Sequence, residues 1–404
     1  MMEKPGFPGA APPEGLRLRR AEAEDGWPLA ELWSYVFPGE RSAEDRLREL
    51  EEGGTFGGIE TAWVAEVAGR RVGALRMYDL ELGLFGRTFP TMGLAAVAVE
   101  PEHRRRGIGG WMCAEALRIA RSEGHVLSAL YPYQASFYGR LGYTLAGELH
   151  RYRFPASDLP LFEGSDRVAR VRTVEDAERL REAYGRTVLK ANGLLRRTST
   201  MWSFLDHARN VSFAYRDPQG TVRGYLVIRT PRRRPGRRSR MRIRELVAAD
   251  TAAYRGLLGW ISSQRDQWDE VVYDALPSEG FHRLLPHPRR PGSRSKRGLW
   301  FESARLLRGP MLRVLNLEAL LDGEGARGSG AVLAVRDEQV PENEGTWQVS
   351  DSGVRRMGTA GEGAIPIGIA ADLLVSGALP GGPTPPDGWE PALGLRDFRM
   401  LDSF

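Results

Sequence analysis

An apolar strand that runs through an Arg-Gly loop straight into an amphipathic helix constrains this chain more than any other feature. Residues 93–122 read GLAAVAVEPEHRRRGIGGWMCAEALRIARS. Leu94 to Val99 is strand-like, while Ile108, Trp111, Met112, Ala116 and Ile119 recur at helical spacing. A helix that opens directly after such a loop aims free backbone N–H groups and the positive end of its dipole at one point. Gly107 and Gly109 lack the Cβ atoms that would hold an anion away. Arg104, Arg105 and Arg106 supply countercharge. The junction therefore predicts an anion site suited to phosphate groups. The spacing Arg-x-x-Gly-x-Gly alone does not carry this, because 54 Arg and 48 Gly in 404 residues give about one accidental match. A looser copy at Arg355 to Ala360 is such an accident: GEGAIP follows it and cannot open a helix.

Composition closes off several classes of function. The 42% apolar content and 10 Trp suffice for two or three cores. No run approaches the ~18 apolar residues of a membrane span. Residues 1–15, MMEKPGFPGAAPPEG, lack the apolar stretch of a signal peptide and read as a disordered leader. Cys113 is the single cysteine, which excludes an internal disulfide and fits a reducing, cytoplasmic setting. Its mid-helix position among apolar neighbours argues against a nucleophile. His103, His125, His150, His207, His282 and His287 show no ligand spacing, so no metal is expected. The net charge of +5 does not point to nucleic acid, since 54 Arg against 3 Lys looks like genome composition. The densest cluster, PRRRPGRRSR at 231–240, has neither interleaved aromatics nor a recognition helix and reads as a solvated loop. Neither a nucleic-acid nor a membrane partner is expected.

Patterning gives a mixed α/β unit at 16–153, a second of similar outline at 154–290, a linker at 291–300 and a small α+β unit at 301–404. The first unit holds a strand at 16–20, helix over 26–52 and a strand pair over 61–79 turning at Ala68-Gly69. Strand 93–99, helix 107–122, strand 126–131 and helix 134–141 follow. The second unit repeats this order, with helix at 173–190 and strands near 211–216, 222–229 and 242–250. A helix from Thr251 to about Arg265 and a strand at 271–276 complete it. Its counterpart of the Arg-Gly loop is DTAAYRGLLGW, with no Arg or Gln three residues before Gly256, so it reads as a copy without the anion site. The last unit has an apolar segment at 311–321, strands at 331–336, 346–350 and 354–357, and a helix at 369–376.

VAVEPEHRRRGIG (97–109) followed by FYGRLGY (137–143) resembles the Gcn5-related N-acetyltransferase superfamily. Within it, the chain looks like the Eis (enhanced intracellular survival) family, over essentially everything from residue 16 to Phe404. The resemblance implies tandem acetyltransferase folds, the second degenerate, and a C-terminal α+β domain similar to sterol carrier proteins. It implies acetyl-CoA as cosubstrate and a homohexamer. Residue by residue, it places Val97, Ala98 and Val99 along pantetheine. Arg105, Arg106, Gly107, Ile108, Gly109 and Gly110 match the pyrophosphate loop, with Arg104 beside it. Tyr133 and Gln134 match a second cofactor contact. Tyr138 matches the general acid and the α-carboxylate of Phe404 the general base, in transfer to a primary amine of aminoglycoside, polyamine or lysine type.

Physical chemistry supports these roles. A departing thiolate has a pKa of about 8.5 and a phenol about 10, close enough for Tyr138 to protonate sulfur as the C–S bond breaks. Neutralising an alkylammonium at pH 7 costs about 4–5 kcal/mol, and a carboxylate of pKa about 3.5 cannot take that proton from the resting cation. Phe404 is therefore expected to hold the ammonium and remove the proton as attack makes the nitrogen acidic. Glu100 and Glu102, rival bases just past the strand, read as solvated loop charges. Aminoglycoside-acetylating relatives carry an acid just before the terminal Phe and an aromatic before the Val-x-Val strand. This chain has Ser403 and Ala96 there, with Asp402 one step away. The implied pocket, lined by Trp33, Phe37, Ala96, Asp402 and Ser403, is less acidic and has a wider wall. Two other readings stay open: a lipid or hydrophobic-ligand carrier built on the C-terminal unit, and a transferase using a longer acyl-CoA.

Overall fold

Pro38 and Gly39 break the long helix expected over 26–52 into two, because proline excludes helical backbone before it and removes a donor. In the computed structural model, α1 (Gly26–Val36) stops there, and Ser42 caps α2 (Ala43–Glu52) by accepting the Asp45 N–H at 3.2 Å. The structure describes residues 13–39, 41–230, 239–292, 301–323, 331–350, 353–377 and 397–404. Residues 1–12 of the expected leader, 231–238 of the arginine-rich loop and 293–300 of the expected linker lie outside them.

Around these helices the first unit runs β1 (Arg17–Arg20), β2 (Ala62–Val67), β3 (Arg70–Leu84), β4 (Arg87–Val99), α3 (Ile108–Ser122), β5 (Leu127–Leu130), α4 (Ala135–Gly139), β6 (Thr144–Leu145) and β7 (Glu148–Phe154). The β2–β3 hairpin turns at Ala68-Gly69 with φ of +48° and +74°, the left-handed pair a two-residue turn requires. The reading of strands at 61–79 and 93–99 missed 80–92, where β3 and β4 continue through a second such turn at Phe85-Gly86.

In the second unit β8 (Val168–Arg170), α5 (Val174–Val188), β9 (Asn210–Arg216), β10 (Val222–Arg229), β11 (Arg240–Ala248), α6 (Thr251–Ser263) and β12 (Glu270–Ala275) follow the expected order. The remainder is β13 (Ala304–Arg308), β14 (Met311–Val314), α7 (Leu317–Gly323), β15 (Val332–Arg336), β16 (Gly345–Ser350), β17 (Gly353–Gly358), β18 (Ile365–Pro366) and α8 (Ile367–Ser376).

Sheet membership crosses the expected boundaries at 153 and 301. The first sheet is ordered β1-β2-β3-β4-β5-β14-β6 and the second β13-β7-β12-β11-β10-β9-β8; only β17-β16-β15-β18 belongs wholly to the last unit. β7 thus leaves the unit that precedes it, while β13 and β14 join the second and first sheets. The physical reason is local: β14 is buried along its whole length, and its Arg313 is sealed against Asp337 and the Leu141 carbonyl. Tail and body are interlocked rather than strung in line. One continuous apolar cluster accordingly spans Leu80, Leu82 and Leu127 of the first sheet, Leu333 and Trp347 of the third, and Leu374 of α8.

Candidate active site

The first sheet opens where β4 meets β5. These parallel strands pair only over Thr91–Gly93 against Leu127–Ala129. Between the Ala98–Ala74 and Ala95–Arg76 pairs, β4 carries one residue more than β3, a bulge centred on Ala96 at φ +50°. Trp33 Nε1 donates to the Ala96 carbonyl at 2.7 Å and holds the bulge in place. A bulge bends and twists its strand, so β4 turns away from β5. Val97, Ala98 and Val99 are left with no ladder partner on the β5 side among the described residues. Ala98 is buried against α1, and backbone is what this segment can offer a ligand.

The Arg-Gly loop closes the other end of the opening. Arg104 Nε donates to the Val99 carbonyl at 3.1 Å, folding the loop over the strand end. Gly107 caps α3 at φ +73°, a conformation that favours glycine, and brings no side chain to the helix N–H groups. In the second unit the Asp250 carboxylate takes that place on α6, accepting the Ala253 N–H at 2.9 Å. That bond, with Arg223 assisting, holds Asp250 below the usual carboxylate range. One helix start is open to an anion and the other is already capped by one. Arg104, Arg105 and Arg106 are exposed beside the open start, while Ile108 is buried and can contribute only backbone. A Cβ on Gly109 would stand 3.6 Å from Val99 and 3.9 Å from Phe137, so strand end, helix start and α4 converge there; Gly110 borders open space. Tyr133 is 99% exposed and Gln134 caps α4, both on the loop after β5.

Tyr138 lies on α4 with its ring 4.9 Å from Phe137 and 5.9 Å from Tyr143. Burial, then proximity to Cys113, pushes its phenol well above the ordinary range, so it is protonated at neutral pH. Cys113 is fully buried and its thiol is pushed up to about 12 by desolvation, which removes it as a nucleophile.

Phe404 sits where the strands part. Its ring lies 5.9 Å from Phe56, 6.1 Å from Tyr78 and 5.9 Å from Tyr131, edge-on to each. Close approach is possible because position 93 is glycine: a Cβ there would come within 3.0 Å of the Phe404 ring and 2.7 Å of Leu80. Gly93→Ala is expected to displace the ring and lose about 1–3 kcal/mol of stability from overpacking. Urea denaturation of the variant against the parent chain checks this.

Two cavities of about 230 Å³ and 400 Å³ meet at Phe404 and share Arg41, Glu49 and Tyr78. Trp33, Phe37 and Ala96 line the smaller; Asp402, Ser403, Phe204 and Arg244 line the larger. Neither Glu100 nor Glu102 lines either one. Asp402 is not a free carboxylate in that lining. Both of its oxygens accept from Arg197 Nε, at 2.9 Å and 3.0 Å, and burial raises its pKa more than Arg197 lowers it. The Asp402 carbonyl accepts from the Tyr131 hydroxyl at 2.8 Å. Arg197, Tyr131, Glu49, Tyr78, Phe56 and Arg244 were not read as site residues. Arg197 is 205 positions from Asp402, and no local pattern marks such a pair.

Two acetyltransferase (GNAT) domain families match the chain, one over residues 17–146 and the other over 193–314. This chain belongs to the acetyltransferase (GNAT) family. It is a homologue of the N-acetyltransferase Eis of Mycobacterium tuberculosis, 31% identical over 273 residues. That match takes in 63% of this chain and spans only 62% of the relative's length. The solved structure of a GCN5-related N-acetyltransferase from Anabaena variabilis superposes with a TM-score of 0.78 at 22% identity, covering 96% of this chain and all of that one. Eis1 from Mycobacterium abscessus gives 0.75 at 19% identity, again over 96% of this chain and 100% of the other. These superpositions establish the fold. In this GNAT chain the first repeat holds the open helix start and the parted strands, and the second repeat's helix start is filled by Asp250. Among the described residues no helix is long and apolar enough to cross a membrane, and no cluster of candidate metal ligands occurs.

Proposed function

We propose that the protein is an acetyl-CoA-dependent N-acetyltransferase that acts on a primary amine by direct attack, with Tyr138 as general acid and the Phe404 α-carboxylate as general base. The observation that carries this is Phe404 standing at the parting of β4 and β5, where the cavities meet. Acetyl-CoA supplies the acetyl group and the thiolate leaving group. The chain supplies the rest: Val97 to Val99 offer free backbone to an amide-bearing arm, and Gly107 to Gly110 with Arg104, Arg105 and Arg106 offer N–H groups and countercharge to a diphosphate. Tyr133 and Gln134 flank that track. Phe404 holds the incoming amine and takes its proton. The raised pKa of Tyr138 keeps the proton in place until sulfur departs. It also widens the gap to a thiol, so donation accompanies C–S cleavage rather than preceding it.

Release of free thiol from acetyl-CoA, measured with an amine panel spanning aminoglycosides, polyamines, lysine peptides and arylalkylamines, tests the reading. Silence across the panel would sink it. Tyr138→Phe is expected to lower kcat about a hundredfold or more with acetyl-CoA affinity retained. In the parent enzyme, activity should persist as pH rises to at least the ordinary phenol value of about 10, because a raised pKa keeps the acid protonated. An alkaline limb that is unchanged in Tyr138→Phe would assign the acid elsewhere.

The same resemblance supports a cytoplasmic homohexamer with a sterol-carrier-like C-terminal unit; mass photometry of the full chain checks the assembly. A lipid-carrier role is not favoured by the cavity of about 560 Å³ between α4 and α8, whose lining includes Arg140, Arg336, Glu338 and Asp372.

A further inference from the structure

We infer that the acceptor is an amine that also carries an anionic oxygen group, a carboxylate or a phosphate, bound by Arg244. This rests on the transferase reading and adds the chemical class of its second substrate.

The inference follows from which groups around Phe404 still have hydrogen-bonding capacity to offer. Two acidic side chains line the cavities, and both are already engaged. Glu49 accepts from Arg41 at 2.6 Å on one oxygen and from Arg76 at 2.8 Å on the other. Asp402 has both oxygens on Arg197. A second ammonium on the acceptor would therefore have to break an ion pair to find a partner. The unspent capacity is cationic. Arg244, on β11, makes no hydrogen bond or ion pair with any described residue and lies with its guanidinium 4.7 Å from the Phe204 ring centroid. Arg46, on the smaller cavity, spends Nη2 on the Phe37 carbonyl at 3.0 Å, and its Nε is sealed from solvent and out of a ligand's reach, which leaves Arg244 as the cation to meet an anion. Arg244 is exposed, so its guanidinium is open to an anion, and it shares the larger cavity with Phe404.

This arrangement also serves the reaction. Phe404 presents its carboxylate to the amine, and the Arg244 guanidinium elsewhere on the larger cavity fixes the orientation of the acceptor. Positive charge nearby favours the neutral amine over the ammonium, and the neutral amine is the nucleophile. Aromatic walls from Phe56, Tyr78 and Phe204 suit an apolar body between the two ends. The arginine that reads the substrate belongs to the second repeat, which gives the repeat lacking a phosphate loop a task in catalysis.

A matched series isolates the charge: para-aminomethylbenzoate, para-aminomethylphenyl phosphate, benzylamine and para-xylylenediamine share one ring and one reactive aminomethyl group. Acetyl transfer to at least one of the two anionic amines should exceed that to benzylamine by about tenfold in kcat/KM, with the diamine lowest, as expected for one hydrogen-bonded ion pair. Comparing the carboxylate with the phosphate identifies the preferred handle. Arg244→Gln should erase the anionic advantage, so that within this variant kcat/KM for the anionic amines falls to that for benzylamine. A diamine that matches or outruns both anionic amines would overturn the inference. So would an anionic preference that survives Arg244→Gln. Calorimetric binding of the same four amines to the CoA-saturated protein gives the answer independently of chemistry. If nothing turns over, the transferase reading falls, while tighter binding of an anionic amine that Arg244→Gln removes still upholds the acceptor class. Equal binding of all four overturns it.

Discussion

Adding a single residue after Phe404 is expected to reduce turnover by about a hundredfold to ten-thousandfold, the range a general base contributes, with acetyl-CoA binding retained. The added residue converts the α-carboxylate into a peptide carbonyl, which has no charge to hold an ammonium and no basicity to accept its proton. It also carries the new terminus roughly 3.8 Å onward along the chain, beyond hydrogen-bond reach of anything Phe404 served. The ring itself can stay: its contacts with Phe56, Tyr78 and Tyr131 and its seat against Gly93 do not involve the carboxylate. Thermal stability should therefore change little, and the defect should appear in kcat. A cleavable C-terminal extension makes the comparison within one preparation, since proteolytic return of the Phe404 terminus should restore the rate. Equal turnover before and after cleavage would exclude the terminal carboxylate as base and return attention to Glu49, the other carboxylate lining both cavities.

The half of the site proposed to bind cofactor has a geometry that was legible because its determinants are contiguous. Strand, loop and helix occupy 93–122, and each local preference agrees with the next: apolar residues into the strand, arginines and glycines at the turn, helical spacing after Gly107. The acceptor half is assembled from α1, α2, β3, β11 and the last three residues, so no window contains it. Trp33 and Phe37 were readable as one stripe of a helix, yet nothing in that stripe told that Trp33 spends its N–H on the Ala96 carbonyl. Ala96 looked like a lost aromatic wall; in the fold it is also a left-handed bulge residue that makes the strands part. Asp402 illustrates a different limit. Proximity in sequence to Phe404 suggested a substrate contact, whereas burial and Arg197 make it an anchor. The exchange of β7, β13 and β14 between sheets was illegible for the same reason as Arg197, because strand order is decided by partners far along the chain.

Arg197→Met is expected to destabilise the protein by about 3–5 kcal/mol, the range for stranding a buried charge, and to cut kcat while sparing acetyl-CoA affinity. The Arg197 side chain is fully buried, with Glu245 1% and Asp402 8% exposed at theirs. One guanidinium serves two carboxylates: Nη1 and Nη2 donate to Glu245, and Nε to both oxygens of Asp402. Burial opposes its charge, but Glu245 and Asp402 outweigh burial and hold it firmly cationic. The same plane packs against Tyr184 at 4.4 Å, Trp202 at 4.6 Å and Phe204 at 4.8 Å. Lysine reproduces neither the fork nor the stacking, so Arg197→Lys should recover little of the loss. The functional consequence follows from where the bond leads. Asp402 is two residues from Phe404, and upstream Arg399 is fastened by Nη2 to the Asp274 carbonyl at 2.9 Å and lies over Tyr273 at 5.8 Å. The tail is thus tied to the second repeat at several points, and Arg197, holding Asp402, is the one of them nearest the proposed base. Combining Arg197→Met with Glu245→Gln and Asp402→Asn removes the stranded charges and should return most of the stability, since neutral packing can replace a buried ion network. It should not return the rate, because the Asp402 side chain is no longer held and the last residues keep only the Tyr131 bond to the Asp402 carbonyl and the ties upstream at Arg399. Measuring urea unfolding and kcat on the single and triple variants separates the two effects. Full recovery of kcat alongside stability in the triple variant would reduce Arg197 to a structural ion pair, whereas a stable protein that binds acetyl-CoA and turns over slowly makes Arg197 a positioning residue for Phe404.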